Sequence, residues 1–66
     1  MQITINGETR ELGANTSVDG LLREIGLDPA KVAVERNLEI VPKSLHATTA
    51  IADGDRIEIV QFVGGG

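Results

Sequence analysis

The sequence predicts an α+β domain in which a mixed β-sheet carries one main helix on one face. Three features support this prediction: an alternating N-terminal segment closed by Asn6-Gly7, an amphipathic segment that begins near Ser17, and a strongly β-prone segment close to the end of the chain. A chain of 66 residues has room for one small domain, so residues 1–66 are assigned to a single unit with a flexible tail over 63–66.

The first two strands are predicted from alternation and from a turn signal. Residues 1–6 place Ile3 and Ile5 on one face and polar side chains on the other. The Asn-Gly pair that follows is typical of a two-residue hairpin turn. The polar segment ETRELG, residues 8–13, is therefore expected to return as an exposed antiparallel strand.

A helix is predicted within TSVDGLLREIGL, residues 16–27. Thr16 or Ser17 suits the N-cap, and Gly26 suits the left-handed position that follows a helix. Four apolar residues recur at helical spacing and define one face: Val18, Leu21, Leu22 and Ile25. The segment DPAK, residues 28–31, then predicts a short turn of helix.

Three strands are predicted after the helix. VAVER at 32–36 is followed by a turn and by LEIVP at 38–42, where the proline ends the strand because it cannot donate a backbone hydrogen bond. Residues 43–52 are expected to form a loop with a turn of helix, and RIEIVQFV at 56–63 to form the last strand.

Composition excludes several classes of protein. The sequence has no cysteine and one histidine, so neither a disulfide framework nor a metal cluster is expected. A net charge of −4 with one aromatic residue argues against nucleic-acid binding and favours partners with basic surfaces. No apolar run is long enough to span a bilayer and no leader is apparent, so a cytoplasmic location without membrane contact is expected.

Three polar residues invite a metal-site interpretation that the sequence does not favour. Asp53 and Asp55 flank Gly54 and are expected to form a turn and not to bind a metal ion. His46 stands alone between apolar neighbours, without a second potential ligand close by, and is expected at the surface.

The sequence leaves two positions open for the apolar residues near the end of the last strand: the outer face of the sheet or the core. If Ile57 and Ile59 face the core, alternation places Val60 and Phe62 on the opposite face. One interpretation is that these two side chains form a docking patch for a partner. The other is that a β-bulge near the end of the strand turns Phe62 back into the core.

The chain ends in Val63 and three glycines, which carry almost no side-chain volume. An extended tail of this kind could enter a narrow channel and present the carboxylate of Gly66 to an enzyme. The carboxylate would first need activation by ATP, and the sequence has neither a phosphate-binding loop pattern nor a nucleophile with an adjacent base. The alternative is an inert, frayed terminus or a cloning remnant.

Three segments together resemble the ThiS family of thiamine-biosynthesis sulfur carriers: TSVDGLLREIGL, ERNLEIVPKS and DGDRIEIVQFVGGG. The likeness extends over essentially the whole chain. A terminal Gly-Gly alone is shared with other ubiquitin-like proteins, whereas its combination with the central and preceding segments is much more specific. The resemblance implies a ubiquitin-like β-grasp fold, in agreement with the predicted order of elements.

The resemblance also implies a function as a carrier and not as an enzyme. A partner related to ubiquitin activators would use ATP and magnesium to adenylate Gly66, the second residue of the terminal pair with Gly65. A cysteine desulfurase or another donor would supply sulfur for a thiocarboxylate, which thiazole synthase would consume. Gly64 would be part of the tail, and Phe62 and Val60 would dock on the enzymes. The carrier would hold no cofactor of its own and is expected to be a monomer when alone.

Three alternatives stay open at this point. A molybdopterin-type carrier would use the same chemistry, although that family is usually longer. A ubiquitin-like modifier would instead join Gly66 to lysines of other proteins. A plain interaction domain would use only its sheet surface and leave the tail inert.

Overall fold

The computed structural model describes residues 1–62. It contains five strands, one α-helix and two single-turn 3₁₀ helices. In chain order these are β1 Gln2–Ile5, β2 Glu8–Glu11, α1 Val18–Glu24, the first 3₁₀ turn Pro29–Lys31, β3 Val32–Arg36, β4 Glu39–Val41, the second 3₁₀ turn Lys43–Leu45, and β5 Arg56–Gln61. In residues 1–62, no helix is both long and apolar enough to cross a membrane.

The strands form one mixed sheet in the order β2-β1-β5-β3-β4. β5 lies at the centre, parallel to β1 and antiparallel to β3, while the two outer strands are the second strands of hairpins. The predicted α+β architecture, with a mixed sheet and one main helix, is confirmed. The central position of β5 matters for function because this strand leads directly into the C-terminal residues.

The helix begins and ends with the predicted signals. The Ser17 side chain accepts a hydrogen bond from the backbone N–H of Gly20 at 3.0 Å. At the other end Gly26 has a φ of +82°, its N–H donates to Arg23, and the N–H of Leu27 donates to the Leu22 carbonyl. This pair of bonds is the Schellman arrangement, which satisfies the last carbonyls of the helix.

The core lies between α1 and the inner face of the sheet. Ile25 packs at its border, partly buried, and the other three residues of the predicted helix face are fully buried. The buried apolar residues are Ile3, Leu12, Val18, Leu21, Leu22, Val32, Val34, Val41, Ile51, Ile57 and Ile59. Full burial of one such side chain stabilises the fold by about 1.5–3 kcal/mol relative to exposure.

Four strands are shorter than the sequence predicted: β1 by one residue at each end, β2 by two at its C-terminal end, and β4 and β5 for reasons that the structure shows. β4 begins at Glu39 because Leu38 lies in the β3–β4 turn, with a φ of +71°. β5 ends at Gln61, and the Phe62 N–H then donates to the backbone carbonyl of Lys31 at 3.0 Å. The prediction that the strand continues to Val63 concerns a residue outside the described part of the chain.

Candidate functional site

The outer face of β5 carries the two apolar residues singled out in the sequence. Val60 is 63% exposed and Phe62 is 57% exposed, whereas Ile57 and Ile59 face the core. β5 pairs with β3 without interruption as far as the Val32–Gln61 pair, so no bulge reverses the alternation. The interpretation that Phe62 turns back into the core is therefore wrong, and its ring faces solvent.

A third exposed apolar residue, Ile40, lies on the same face and was not singled out from the sequence. Ile40 pairs with Glu35, which pairs in turn with Glu58, and alternation along β5 puts Val60 on the same side as Glu58. Ile40 is 72% exposed. The signal was present in the sequence, because an inward Val41 at the end of a short strand requires an outward Ile40.

We refer to Ile40, Val60 and Phe62 as the outer apolar patch. Alternation places it on the face of the sheet opposite α1, and it extends to Phe62, the last described residue. Exposed apolar residues grouped on a small domain are typical of a contact surface for another macromolecule. The patch thus adjoins the segment that leads into Gly64, Gly65 and Gly66, which lie outside the described residues and whose reactive role stays a prediction.

The base of the tail is held by contacts from two other segments. The Lys43 ammonium lies 5.2 Å from the centroid of the Phe62 ring and also donates to the Ala30 carbonyl at 2.6 Å. The backbone of Phe62 donates to the Lys31 carbonyl. The backbone of Phe62 therefore contacts the first 3₁₀ turn directly, and its ring contacts the Lys43 side chain, which is bound to that turn.

His46 is not at the surface, as its sequence context suggested, but buried at 3% exposure. Its Nε2 lies 3.1 Å from the Val41 carbonyl, and its own backbone carbonyl accepts a hydrogen bond from Asp19. The surface prediction was wrong because the second 3₁₀ turn brings the ring against the end of β4. A single polar ring in an irregular segment gives no periodic signal of burial.

Asp53 and Asp55 form the predicted turn, and each also binds a distant segment. Asp53 accepts a hydrogen bond from the backbone of Gln2 at 2.7 Å. Asp55 is buried and accepts bonds from the Ala52 N–H, the Asn37 side-chain amide and the Arg36 guanidinium. In residues 1–62, no group of three or more His, Cys, Asp or Glu residues is arranged to hold a metal ion.

Burial and hydrogen bonding act in opposite directions on the Asp55 carboxyl. Burial disfavours the charged form and on its own would raise the pKa, but the hydrogen bonds from Ala52, Asn37 and Arg36, together with the Arg36 charge, outweigh it. The pKa of Asp55 is consequently lowered from its ordinary value. The carboxylate stays ionised and acts as a structural acceptor at the edge of the β3–β4 turn.

The sequence of the chain is similar to that of known proteins. Residues 3–66 match the ThiS family. The thiazole synthase of Paramagnetospirillum magneticum is 59% identical over 66 residues, but the chain spans only 20% of that protein. The sulfur carrier protein ThiS of Bacillus subtilis is 38% identical over 65 residues, covering 97% of this chain and 98% of that protein.

A solved structure supports the same assignment. The crystal structure of the thiamine biosynthesis protein ThiS from Geobacter metallireducens matches with a TM-score of 0.85 and 30% sequence identity, and the match covers 100% of both chains. Its mixed sheet and helix correspond to those described above. The chain therefore belongs to the ThiS family and has the ubiquitin-like β-grasp fold.

Proposed function

We propose that this chain is a sulfur carrier in thiamine biosynthesis, with the carboxyl group of Gly66 as the sulfur-bearing group. The observation that carries the proposal is the position of the outer apolar patch. In a chain of the ThiS family, exposed Val60 and Phe62 are followed by Val63 and three glycines. A docking surface next to a terminus without bulky side chains suits a protein whose end is modified inside another protein's active site.

The proposed chemistry has two stages, both performed by partners. A carboxylate oxygen of Gly66 attacks the α-phosphorus of ATP on a magnesium-dependent adenylating enzyme, which forms an acyl-adenylate and releases pyrophosphate. Sulfur carried as a persulfide by a cysteine desulfurase, or sulfur from another donor, then attacks the acyl carbon and displaces AMP, which leaves with one oxygen of the original carboxylate. With a persulfide donor the intermediate is an acyl disulfide, and a thiol supplies the two electrons that release the sulfur on Gly66 and is itself oxidised to a disulfide. The product is a C-terminal thiocarboxylate, which transfers its sulfur to the thiazole ring.

The residues of the chain and its relatives both support a need for partners. Residues 1–62 include no cysteine and one histidine, whose ring is buried against Val41. The relatives named sulfur carrier protein likewise support a role for the chain as a substrate of other enzymes. Thiazole synthase is proposed as one partner because relatives that bear this name contain a region similar to the whole chain.

Intact mass spectrometry tests the proposal most directly. The untagged protein is incubated with ATP, magnesium, an adenylating enzyme, a cysteine desulfurase and cysteine, and reactions without ATP or without the desulfurase serve as controls. We expect a mass gain equal to the replacement of one oxygen by one sulfur, located at Gly66 by fragmentation. An unchanged mass with partners that convert another ThiS protein would contradict the carrier function.

Deletion of Gly66 separates the alternative functions. A carrier or a protein modifier should lose all activity, while a plain interaction domain should bind its partner as before. A modifier would also leave covalent adducts on lysines of other proteins, which a carrier does not form. Rescue of a thiazole auxotroph and not of a molybdopterin-deficient strain would separate the two carrier functions.

The docking role of the outer apolar patch is tested by Phe62→Asp. Because the ring is largely exposed, the variant should fold normally but bind thiazole synthase about tenfold or more weakly. Leu38→Asp is the matched control, since Leu38 is 70% exposed but lies in the β3–β4 turn at the other end of the strands. Equal weakening by both variants would mean that the patch is not the docking surface.

A further inference from the structure

The sequence contains two lysines, and both lie where β5 ends. Lys31 closes the first 3₁₀ turn and contacts Phe62 through its backbone carbonyl. Lys43 opens the second 3₁₀ turn and contacts the Phe62 ring through its ammonium group. The two residues carry the same charge at the same end of the sheet, yet only the contact made by Lys43 depends on its side chain.

Lys43 contacts two elements at once. Its ammonium donates to the Ala30 carbonyl at 2.6 Å while lying 5.2 Å from the ring centroid. The hydrogen bond holds the charged end of a long side chain that would otherwise sample many rotamers. Pro42, with a φ of −58°, fixes the backbone immediately before it. Both ends of the Lys43 side chain are thus fixed, and its ammonium group is held above the ring.

The ring needs such a contact because it gains little from packing. Phe62 follows the last paired residue of β5 and is 57% exposed, so its side chain lacks the surroundings that fix a core rotamer. A cation above an aromatic face favours one ring orientation. An exposed group that already has its bound orientation loses less conformational entropy when a partner binds.

We propose that Lys43 is a positioning residue that holds the Phe62 ring in the orientation presented to the enzymes that modify the C-terminus. This inference rests on the proposed carrier function. It assigns to Lys43 a role in preorganising the outer apolar patch, in place of the solvated surface role that an exposed lysine ordinarily has.

The test compares three variants of the full chain. Lys43→Met keeps most of the aliphatic length but removes the cation, and Lys43→Arg restores a cation that can stack on a ring and donate to a carbonyl. Lys31→Met is the matched control, because it makes the same change in net charge at the same end of the sheet and leaves the backbone carbonyl in place. The adenylating enzyme is assayed with each variant.

We expect Lys43→Met to raise KM about two- to fivefold with little change in kcat, which is the fold-change that corresponds to a cation–π contact. Lys43→Arg should restore most of the loss, and Lys31→Met should behave like the wild type. NMR of the free proteins supplies a second readout: the Lys43 side-chain protons near the ring should show a ring-current shift that Phe62→Leu abolishes.

Three results would overturn the inference. Equal KM changes in Lys43→Met and Lys31→Met would show an effect of net charge alone. An arginine variant as poor as the methionine variant would remove the role of the cation, and an absent ring-current shift would remove the contact. If the wild type itself gains no sulfur, the carrier function fails instead, while the NMR measurement still decides whether Lys43 orients Phe62.

Discussion

The two hairpins of the sheet use the same turn geometry with different residues. The β1–β2 turn consists of Asn6 and Gly7, with φ values of +50° and +86°. The β3–β4 turn consists of Asn37 and Leu38, with φ values of +52° and +71°. Positive φ at both turn positions is the signature of type I′ turns, which favour Asn-Gly. Leu38 therefore occupies a position that leucine disfavours by about 1–2 kcal/mol.

Both asparagines also bind the central strand. The Asn6 side chain accepts from the N–H of Ile59 at 2.8 Å and donates to its carbonyl at 3.1 Å. The Asn37 backbone donates to the Arg56 carbonyl at 2.8 Å, and its side chain accepts from the Arg56 N–H at 2.9 Å. The two hairpins thus bind β5 along its two edges within the sheet.

The difference lies in what stabilises each turn. Asn6-Gly7 has the residues that its backbone geometry prefers, so its conformation is favoured locally in addition to the bonds that Asn6 makes to Ile59. Asn37-Leu38 has an unfavourable second residue, and its first residue is bound to buried Asp55, which Arg36 and Ala52 also contact. Unfavourable backbone conformations persist where the surrounding structure over-determines them. The conformation of the first turn is thus favoured by its own residues, whereas that of the second depends on tertiary contacts.

The largest expected effect is the loss of these tertiary contacts. Asp55→Ala removes the acceptor for three donors and should lower the free energy of unfolding by about 2–4 kcal/mol. Asp53→Ala, the matched control, removes one exposed bond to Gln2 and should cost about 0.5–1 kcal/mol. Urea denaturation measures both. Similar losses for the two variants would show that burial of the carboxylate gives no added stability.

A smaller effect is expected when the turn asparagines are replaced by glycine. Glycine tolerates positive φ, so Asn6→Gly and Asn37→Gly report mainly on the side-chain bonds to β5. Each variant should lose about 1–2 kcal/mol of unfolding free energy. Each variant removes two side-chain hydrogen bonds, but Asn37→Gly should lose more, because one of its two bonds goes to the buried, charged carboxylate of Asp55. A larger loss in Asn6→Gly would reverse the contrast between the turns.

Removing the unfavourable residue from the second turn should change the free energy of unfolding by a smaller amount and in the opposite direction. Leu38→Gly gives the second turn the Asn-Gly pair and should raise the free energy of unfolding by about 0.5–1 kcal/mol, after allowance for the added freedom of the unfolded chain. Gly7→Leu, the reciprocal change, should lower it, since φ is +86° there although nearby space is open. Thermal unfolding measures both. Destabilisation by Leu38→Gly would mean that the leucine is not strained.

This contrast explains how much of the molecule the sequence could predict. The Asn6-Gly7 turn, the Ser17 cap and Gly26 each depend on residues close in sequence, and the structure confirms them. The exposure of Val60 follows from simple alternation.

What the sequence could not predict depends on contacts between distant residues. Burial of His46 requires the second 3₁₀ turn to pack against the end of β4, which no local pattern encodes. The network around Asp55 includes the Asn37 and Arg36 side chains, 18 and 19 positions away, so the residue looked like an ordinary turn former. The contact of Lys43 with Phe62 likewise joins separate segments. The candidate site was therefore predictable as an exposed patch, but not in its supporting contacts.

The smallest expected effect is a loss of stability at the second turn as the pH is lowered. The pKa of folded Asp55 is lowered from the ordinary value of 3.8, so its ionised form stabilises the fold. That stability is fully present above the unfolded pKa and is lost as the pH falls through the folded pKa.

Asp55→Asn has no group to titrate at this position, so its unfolding free energy should fall less steeply with acid than that of the wild type between about pH 5 and pH 2. The gap between the two proteins should therefore narrow as the pH is lowered. Because Asp55 binds Asn37 and not Asn6, amide exchange in acid should accelerate first in the β3–β4 turn. Parallel stability curves, or earlier loosening of the Asn6-Gly7 turn, would show that the carboxylate does not hold the second hairpin.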